Sequence, residues 1–240
     1  MSKQKKELEQ LGHVKDRIFS VVSHDMRTPV NALISFIQLL ENNQLTPEKL
    51  HLYASELKNQ LTHTSNLMEN LLNWAASQMQ GFKPNIQSLN LLETVNEVSK
   101  AMEQSASKKN VIIQHSIPAD VQVMADKDML ALIVRNLIGN AIKFSFSNGV
   151  VELEAGTVNG QTVFSVRDHG VGIKENKLQL INAPTAISIE SSAGTQNEKG
   201  TGLGLMLCKT FASLMEGSIV ARNAKDGGTE FQLMLKNEDS

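Results

Sequence analysis

Two long helical patterns joined by one short turn constrain this chain more than anything else in it. Apolar residues recur at Ile18, Val21, Val22, Met26, Val30, Leu33, Ile34 and Ile37, mostly three or four apart, as one buried helix face requires. The helical pattern extends from about Lys3 to Glu41. Asn42-Asn-Gln-Leu-Thr-Pro-Glu then interrupts it, with Thr46 suited to an N-cap, Pro47 to the first helical position and Glu48 to the positive end of the dipole. A second helix is expected to about Gln80, carrying Leu50, Tyr53, Leu57, Leu61, Thr64, Leu67, Met68, Leu71 and Trp74 on one face. Helices joined this closely lie antiparallel. A lone hairpin cannot bury stripes of this length, but two hairpins paired into a four-helix bundle can, so a homodimer is expected.

Gly81-Phe-Lys-Pro84 ends the hairpin and sets the expected domain boundary, 1–82 against 83–240. The first residues, Lys-Gln-Lys-Lys-Glu-Leu-Glu-Gln-Leu-Gly-His-Val, read equally well as a short solvated helix end or as a coiled-coil connector (1–16) arriving from an upstream sensor domain. With 240 residues there is room for two small cores. A net charge of −2 and 4% aromatics give no reason to expect nucleic acid as a partner. The single cysteine, Cys208, excludes an internal disulfide and a cysteine-cluster zinc site. No run reaches the roughly 18 apolar residues of a membrane span, so no membrane contact is expected of this fragment.

Beyond the boundary, helices and strands mix. The pattern predicts a helix over 89–108, short strands over 111–117 and 121–124, and an apolar helix capped by Asp126. Strands follow at 150–156 and 162–167, joined by the hairpin signal Asn159-Gly160. A further helix is expected from about Thr201 to Met215, ending at Gly217, and then strands at 218–223 and 229–235. Residues 182–200 lack strong periodicity, and a segment this long is usually a functional lid or disordered.

Four constellations carry chemistry. In the first helix His24 sits at the edge of the apolar stripe, with Asp25 about 100° round the helix and Thr28 one turn on. Pro29 follows, and should kink the helix at a cost of about 3 kcal/mol. A lone helical histidine is usually an ordinary boundary residue; His24 stands out through these neighbours. In the second constellation Asn136, Asn140 and Lys143 share a helix face, with Phe144 next in sequence. Amide oxygens suit a hard magnesium ion, and the lysine adds positive charge. Third is Asp168-His-Gly170-Val-Gly172-Ile173 at a strand end, with a carboxylate able to accept from an exocyclic amine. Fourth is Gly200-Thr201-Gly202-Leu203-Gly204-Leu205 before a helix, a glycine-rich turn of the kind that binds anions. It is not a Walker A loop, because no Gly-Lys-Ser/Thr follows.

Ser-His-Asp-Met-Arg-Thr-Pro resembles the H-box of sensor histidine kinases, His-Glu/Asp-x-x-Thr/Asn-Pro. The other three, in order, resemble the N, G1 and G2 boxes of the catalytic domain of those kinases, related to gyrase- and MutL-type ATPases. Gly227-Gly228-Thr229-Glu-Phe231 resembles the closing G3 segment. The resemblance covers nearly the whole chain. It implies an α+β protein: the helical hairpin, then an α/β sandwich with helices on one face of a mixed sheet. It implies ATP and Mg2+ as cofactors, with Asn140 as magnesium ligand, Asn136 and Lys143 near the phosphates, and Phe144 beside the adenine. Asp168 would read the adenine amino group, and the glycines with Ile173, Thr201, Leu203, Leu205 and Thr229 would wall the site. His24 would be the phosphoacceptor, Asp25 its base, and Thr28 the residue positioning water for a phosphatase reaction. The implied partner is a response regulator receiver domain, and the implied location is cytoplasmic, with the full-length protein free to be membrane-anchored.

One departure stands out. The phenylalanine-rich F box usual between G1 and G2 is replaced by Leu178-Gln-Leu-Ile-Asn-Ala-Pro-Thr-Ala-Ile-Ser. Downstream, Ala193-Gly194-Thr195-Gln-Asn-Glu198-Lys199-Gly200 is similar to the Gly-Thr-x-x-Glu-Lys-Gly of one group of these kinases. The missing aromatic anchor keeps a phosphatase-biased or scaffold kinase in view as an alternative. A gyrase-like ATPase leaves the H-box without purpose.

Overall fold

The computed structural model describes residues 27–42, 46–77, 83–183, 194–196 and 204–237. His24, Asp25 and the expected connector at 1–16 lie outside the described residues, as do Gly200, Thr201, Gly202 and Leu203. The chain divides into two compact units, Met1–Phe82 and Lys83–Ser240.

In the first unit, helix α1 covers 27–41 and α2 covers Pro47–Ser77. Helix α1 continues through Pro29, which is buried. At the turn, Thr46 Oγ1 accepts from the Lys49 N–H at 3.4 Å and its carbonyl from the Leu50 N–H at 2.9 Å. Pro47 opens the helix without a donor to waste, and Glu48 sits in its first turn. The helices face one another across a groove of about 220 Å³ lined by Phe36, Leu39, Tyr53 and Leu57 among others. Much of the apolar surface stays outside it: Val30 and Ile34 are each 50% exposed and Ile37 is 45% exposed.

The second unit is a two-layer sandwich. Its elements run β1 (Gln87–Asn90), α3 (Leu91–Lys108), β2 (Ile112–Ser116), β3 (Gln122–Ala125), α4 (Lys127–Phe144), β4 (Val150–Val158) and β5 (Gln161–Asp168). They continue with α5 (Glu175–Asn182), α6 (Gly204–Leu214), β6 (Ser218–Asn223) and β7 (Thr229–Lys236). Five strands form a mixed sheet in the order β2-β4-β5-β7-β6, parallel only between β2 and β4. Alternate residues of β5 and β7 (Phe164, Val166, Phe231, Leu233, Leu235) are buried, as strand geometry requires of a face covered by helices. The opposing layer brings Leu130, Ile133, Leu137 and Ile138 of α4 and Leu207, Cys208 and Phe211 of α6 into the same core. Burial pushes the Cys208 thiol far above its ordinary range, leaving it an inert packing residue.

Local signals explain several boundaries. Asp126 Oδ1 accepts from the Asp128 and Met129 N–H groups, both at 3.1 Å, capping α4, while Oδ2 accepts from the Asn85 N–H at 2.9 Å. Asn159 and Gly160 both have positive φ, 50° and 77°, giving a two-residue turn between Val158 and Gln161.

Two expectations are corrected. Gln87–Asn90 is a strand paired antiparallel with β3, so the helix starts at Leu91 rather than residue 89, with Asn90 as its cap. Helix α5 was not expected, and it absorbs Leu178–Asn182, the start of the supposed F-box replacement and the first lid residue. The end of α6 is a Schellman turn in which Glu216, not Gly217, takes the left-handed conformation (φ 55°). The Gly217 N–H reaches the Ala212 carbonyl at 2.8 Å and the Glu216 N–H reaches that of Ser213 at 3.1 Å. Gly217 is needed for a different reason: a Cβ there would lie 2.4 Å from the Met234 carbonyl oxygen.

Candidate nucleotide-binding site

Helix α4 organises the site. Asn136, Asn140 and Lys143 are partly exposed on a helix that buries Ile133, Leu137 and Ile138. The two asparagines differ in their commitments. Asn136 Nδ2 donates back to the Leu132 carbonyl at 3.0 Å, and its Oδ1 faces Gly204, where a Cβ would lie 2.3 Å away. Asn140 makes no side-chain hydrogen bond among the described residues, so its amide oxygen is available to a ligand. Lys143 Nζ lies 5.0 Å from the centre of the Phe144 ring, a cation–π contact.

The β5 end supplies the acid. Asp168 is 3% exposed. Its Oδ1 accepts from the Gly170 N–H at 2.9 Å and the Thr229 N–H at 3.2 Å, fixing the carboxylate between two strand ends. Desolvation raises its pKa, opposed by those two hydrogen bonds and by His169. Glycines make this packing possible. A Cβ on Gly170 would lie 1.9 Å from the Phe144 carbonyl oxygen, and one on Gly228 (φ 82°) would lie 1.9 Å from that of Asp168. The turn that follows is pinned by a residue the sequence did not single out: Asn223 Oδ1 accepts from the Ile173 N–H at 2.8 Å and Nδ2 donates to the Ile173 carbonyl at 2.7 Å. The signal for Asn223 is non-local, since it depends on β6 ending beside Gly172.

The structure therefore joins the end of α4, the Asp168–Ile173 turn, the start of α6 and Thr229. Gly204 opens α6 and Leu205 is buried behind it. Among the described residues no group of His, Cys, Asp and Glu could hold a metal. A magnesium ion would instead rest on the Asn140 amide and on nucleotide oxygens, a donor set that suits it. Thr28 is exposed on α1.

The family described as "His Kinase A (phospho-acceptor) domain" matches residues 14–80, and "Histidine kinase-, DNA gyrase B-, and HSP90-like ATPase" matches residues 125–239. An uncharacterized sensor-like histidine kinase of Rhizobium meliloti is 28% identical over 97% of this chain and 45% of its own length. Two solved structures share the fold. Histidine kinase ThkA in complex with response regulator protein TrrA has a TM-score of 0.71 at 22% identity, covering 98% of this chain and 64% of that one. Full-length ShkA in complex with AMPPNP has a TM-score of 0.63 at 24% identity, covering 92% of this chain and 46% of that one. The chain belongs to the two-component sensor histidine kinases. It spans less than half the length of the curated relatives it matches first, 45% of one and 23% of another.

Proposed function

We propose that this chain binds ATP between α4 and the Asp168–Ile173 turn, transfers the γ-phosphoryl group to His24, and passes it to an aspartate of a response regulator. The observation that carries the reading is the immobilised, buried carboxylate of Asp168. One oxygen is held by two backbone N–H groups, which orients the carboxylate to accept a hydrogen bond from an adenine amino group with its other oxygen. A site built to pair with an amine rejects an analogue lacking it by ~10⁴–10⁵, so GTP should be a poor substitute.

Asn140 would hold the magnesium, which supplies charge neutralisation for phosphoryl transfer when bound. Asn136, fixed by Gly204 and Leu132, would position the phosphates from the neighbouring turn of the helix. Lys143 would bring its positive charge to a phosphate from the last turn of the helix. Asp25 would orient or deprotonate the His24 imidazole, a role worth ~10²–10⁴ in rate. Thr28 would position water for the reverse, phosphatase, reaction.

The exposed stripe of Val30, Ile34 and Ile37 supports a homodimer in which two hairpins form a four-helix bundle. The regulator partner is supported by the likeness to ThkA, solved with TrrA. The kinase core would act on the cytoplasmic side; among the described residues no helix is long and apolar enough to cross a membrane. Titrating the protein with ATP and GTP in the presence of magnesium tests the site: ATP should bind and GTP should not, and equal binding would remove Asp168 from its role.

A further inference from the structure

The last turn of α4 carries Lys143 and Phe144, and its carbonyls receive donors from two separate parts of the chain. Lys109, 4% exposed, donates from Nζ to the Lys143 carbonyl at 2.6 Å. From the other direction comes Thr195, which lies in the connection between α5 and α6. Its backbone N–H donates to the Lys143 carbonyl at 3.2 Å. Its Oγ1 lies 2.6 Å from the Ser145 carbonyl oxygen and 3.3 Å from that of Lys143. One hydroxyl proton serves both, with Ser145 the principal acceptor by distance. Next to it, Gln196 Nε2 donates to Ser147 Oγ at 3.1 Å.

Helix C-terminal carbonyls lack intrahelical partners and need such donors. What is unusual is the source: the connecting segment reaches back to the helix that bears the candidate nucleotide ligands. The α5 end of the same segment is held too. Lys209 Nζ donates to the Ala183 carbonyl at 2.8 Å and also to that of Ile181. The Asn182 amide exchanges two hydrogen bonds with Ala221 of β6, both 2.8 Å. Polar contacts thus hold the described residues on either side, Ile181–Ala183 and Thr195–Gln196.

We propose that Thr195 is a positioning residue for ATP binding: its hydroxyl latches the α5–α6 connection to the end of α4 and so fixes the turn that presents Lys143 and Phe144. This rests on the reading that ATP binds beside α4. Because Thr195 is placed to act on that turn rather than on the transferring group, its loss weakens ATP binding without changing the turnover of bound ATP.

The test compares the full chain with Thr195→Val, which keeps the shape and loses the donor, and Thr195→Ser, which keeps the donor. Calorimetric titration with magnesium and a non-hydrolysable ATP analogue gives Kd, autophosphorylation gives KM and kcat, and melting of the nucleotide-free protein reports folding. The expected result is a Kd and KM raised roughly three- to tenfold in Thr195→Val, the worth of about one hydrogen bond. The kcat should stay within about twofold, the nucleotide-free melting temperature should fall by no more than about 2–4 °C, and Thr195→Ser should match wild type. Unchanged Kd in Thr195→Val, or equal weakening in Thr195→Ser, would overturn the latch while leaving the site intact. Wild-type protein that binds no analogue would overturn the functional reading and the latch with it.

Discussion

Gly204 stands against Asn136 so closely that a Cβ on the glycine would lie 2.3 Å from the asparagine Oδ1. The start of α6 therefore sets the rotamer of a candidate phosphate-binding residue on α4. A Cβ on Gly170 would come closer still to a different kind of group, the backbone carbonyl oxygen of Phe144 at 1.9 Å. A side-chain amide can rotate away and a helix backbone cannot. Gly204→Ala should thus cost only about 1 kcal/mol of stability while lowering ATP affinity by roughly tenfold or more as Asn136 is displaced. Gly170→Ala should lose about 3 kcal/mol or more. Thermal melts paired with nucleotide titrations check both, and equal stability losses would refute the distinction.

Asp168 is held in a desolvated site that raises its pKa. A carboxyl whose folded pKa lies above its unfolded value binds more protons folded than unfolded, so it favours folding most at acid pH. That contribution is lost as pH rises from the unfolded value of about 3.9 through the folded one, leaving a penalty at neutral pH. Asp168→Asn keeps an acceptor for Gly170 and Thr229 and removes the buried charge. The ligand-free variant should be at least as stable as wild type at pH 7, while its ATP affinity falls roughly ten- to a hundredfold. Melting curves at about pH 4, near the unfolded value, and at pH 7 should show the variant's relative advantage growing with pH; an advantage that shrinks would place the folded pKa below the unfolded one.

Asn223 closes the Asp168–Ile173 turn with two hydrogen bonds to Ile173, 2.8 and 2.7 Å long. Since Asn223 is largely exposed, Asn223→Ala should cost only about 1 kcal/mol globally. Its local effect should be larger. Amide exchange at Ile173 should accelerate and the KM for ATP should rise; unchanged exchange at Ile173 would show that the pair does not hold the turn.

Helix α1 leaves Ile34 50% and Ile37 45% exposed within one chain. Placing a charge there should disfavour the burial expected in a bundle, so Ile37→Glu should shift the protein toward monomer in sedimentation experiments while ATP still binds the second unit. A variant that stays dimeric would move the interface elsewhere.

Much of this architecture was legible because its signals are local. Asp126 caps α4 within three residues of itself, and Asn159-Gly160 specifies its hairpin without help from the rest of the fold. What escaped depends on distant partners. The strand Gln87–Asn90 is short and pairs with Gln122–Ala125 across the whole of α3, so its four residues carry too little pattern to be told from a helix start. Helix α5 is eight residues long with Ile181 its one buried residue, too short a stretch to show a helical period. The glycines were legible as a site but not in their detailed purpose: Gly170 and Gly204 are needed first by the contact of one element with another. Asn223, Lys109 and Thr195 became visible only once the fold placed them at the ends of the Asp168 turn and α4. Each is a polar residue whose partner is tens of positions away.

The proposed phosphoacceptor of this machinery is one imidazole, that of His24. Incubation with γ-labelled ATP and magnesium, followed by acid and base treatment of the protein, tests it most directly. Wild type should acquire an acid-labile, base-stable phosphate that passes to a receiver domain, and His24→Ala should acquire none while still binding ATP. Label that persists on His24→Ala, or ATP hydrolysis with no protein-bound phosphate in wild type, would contradict the account.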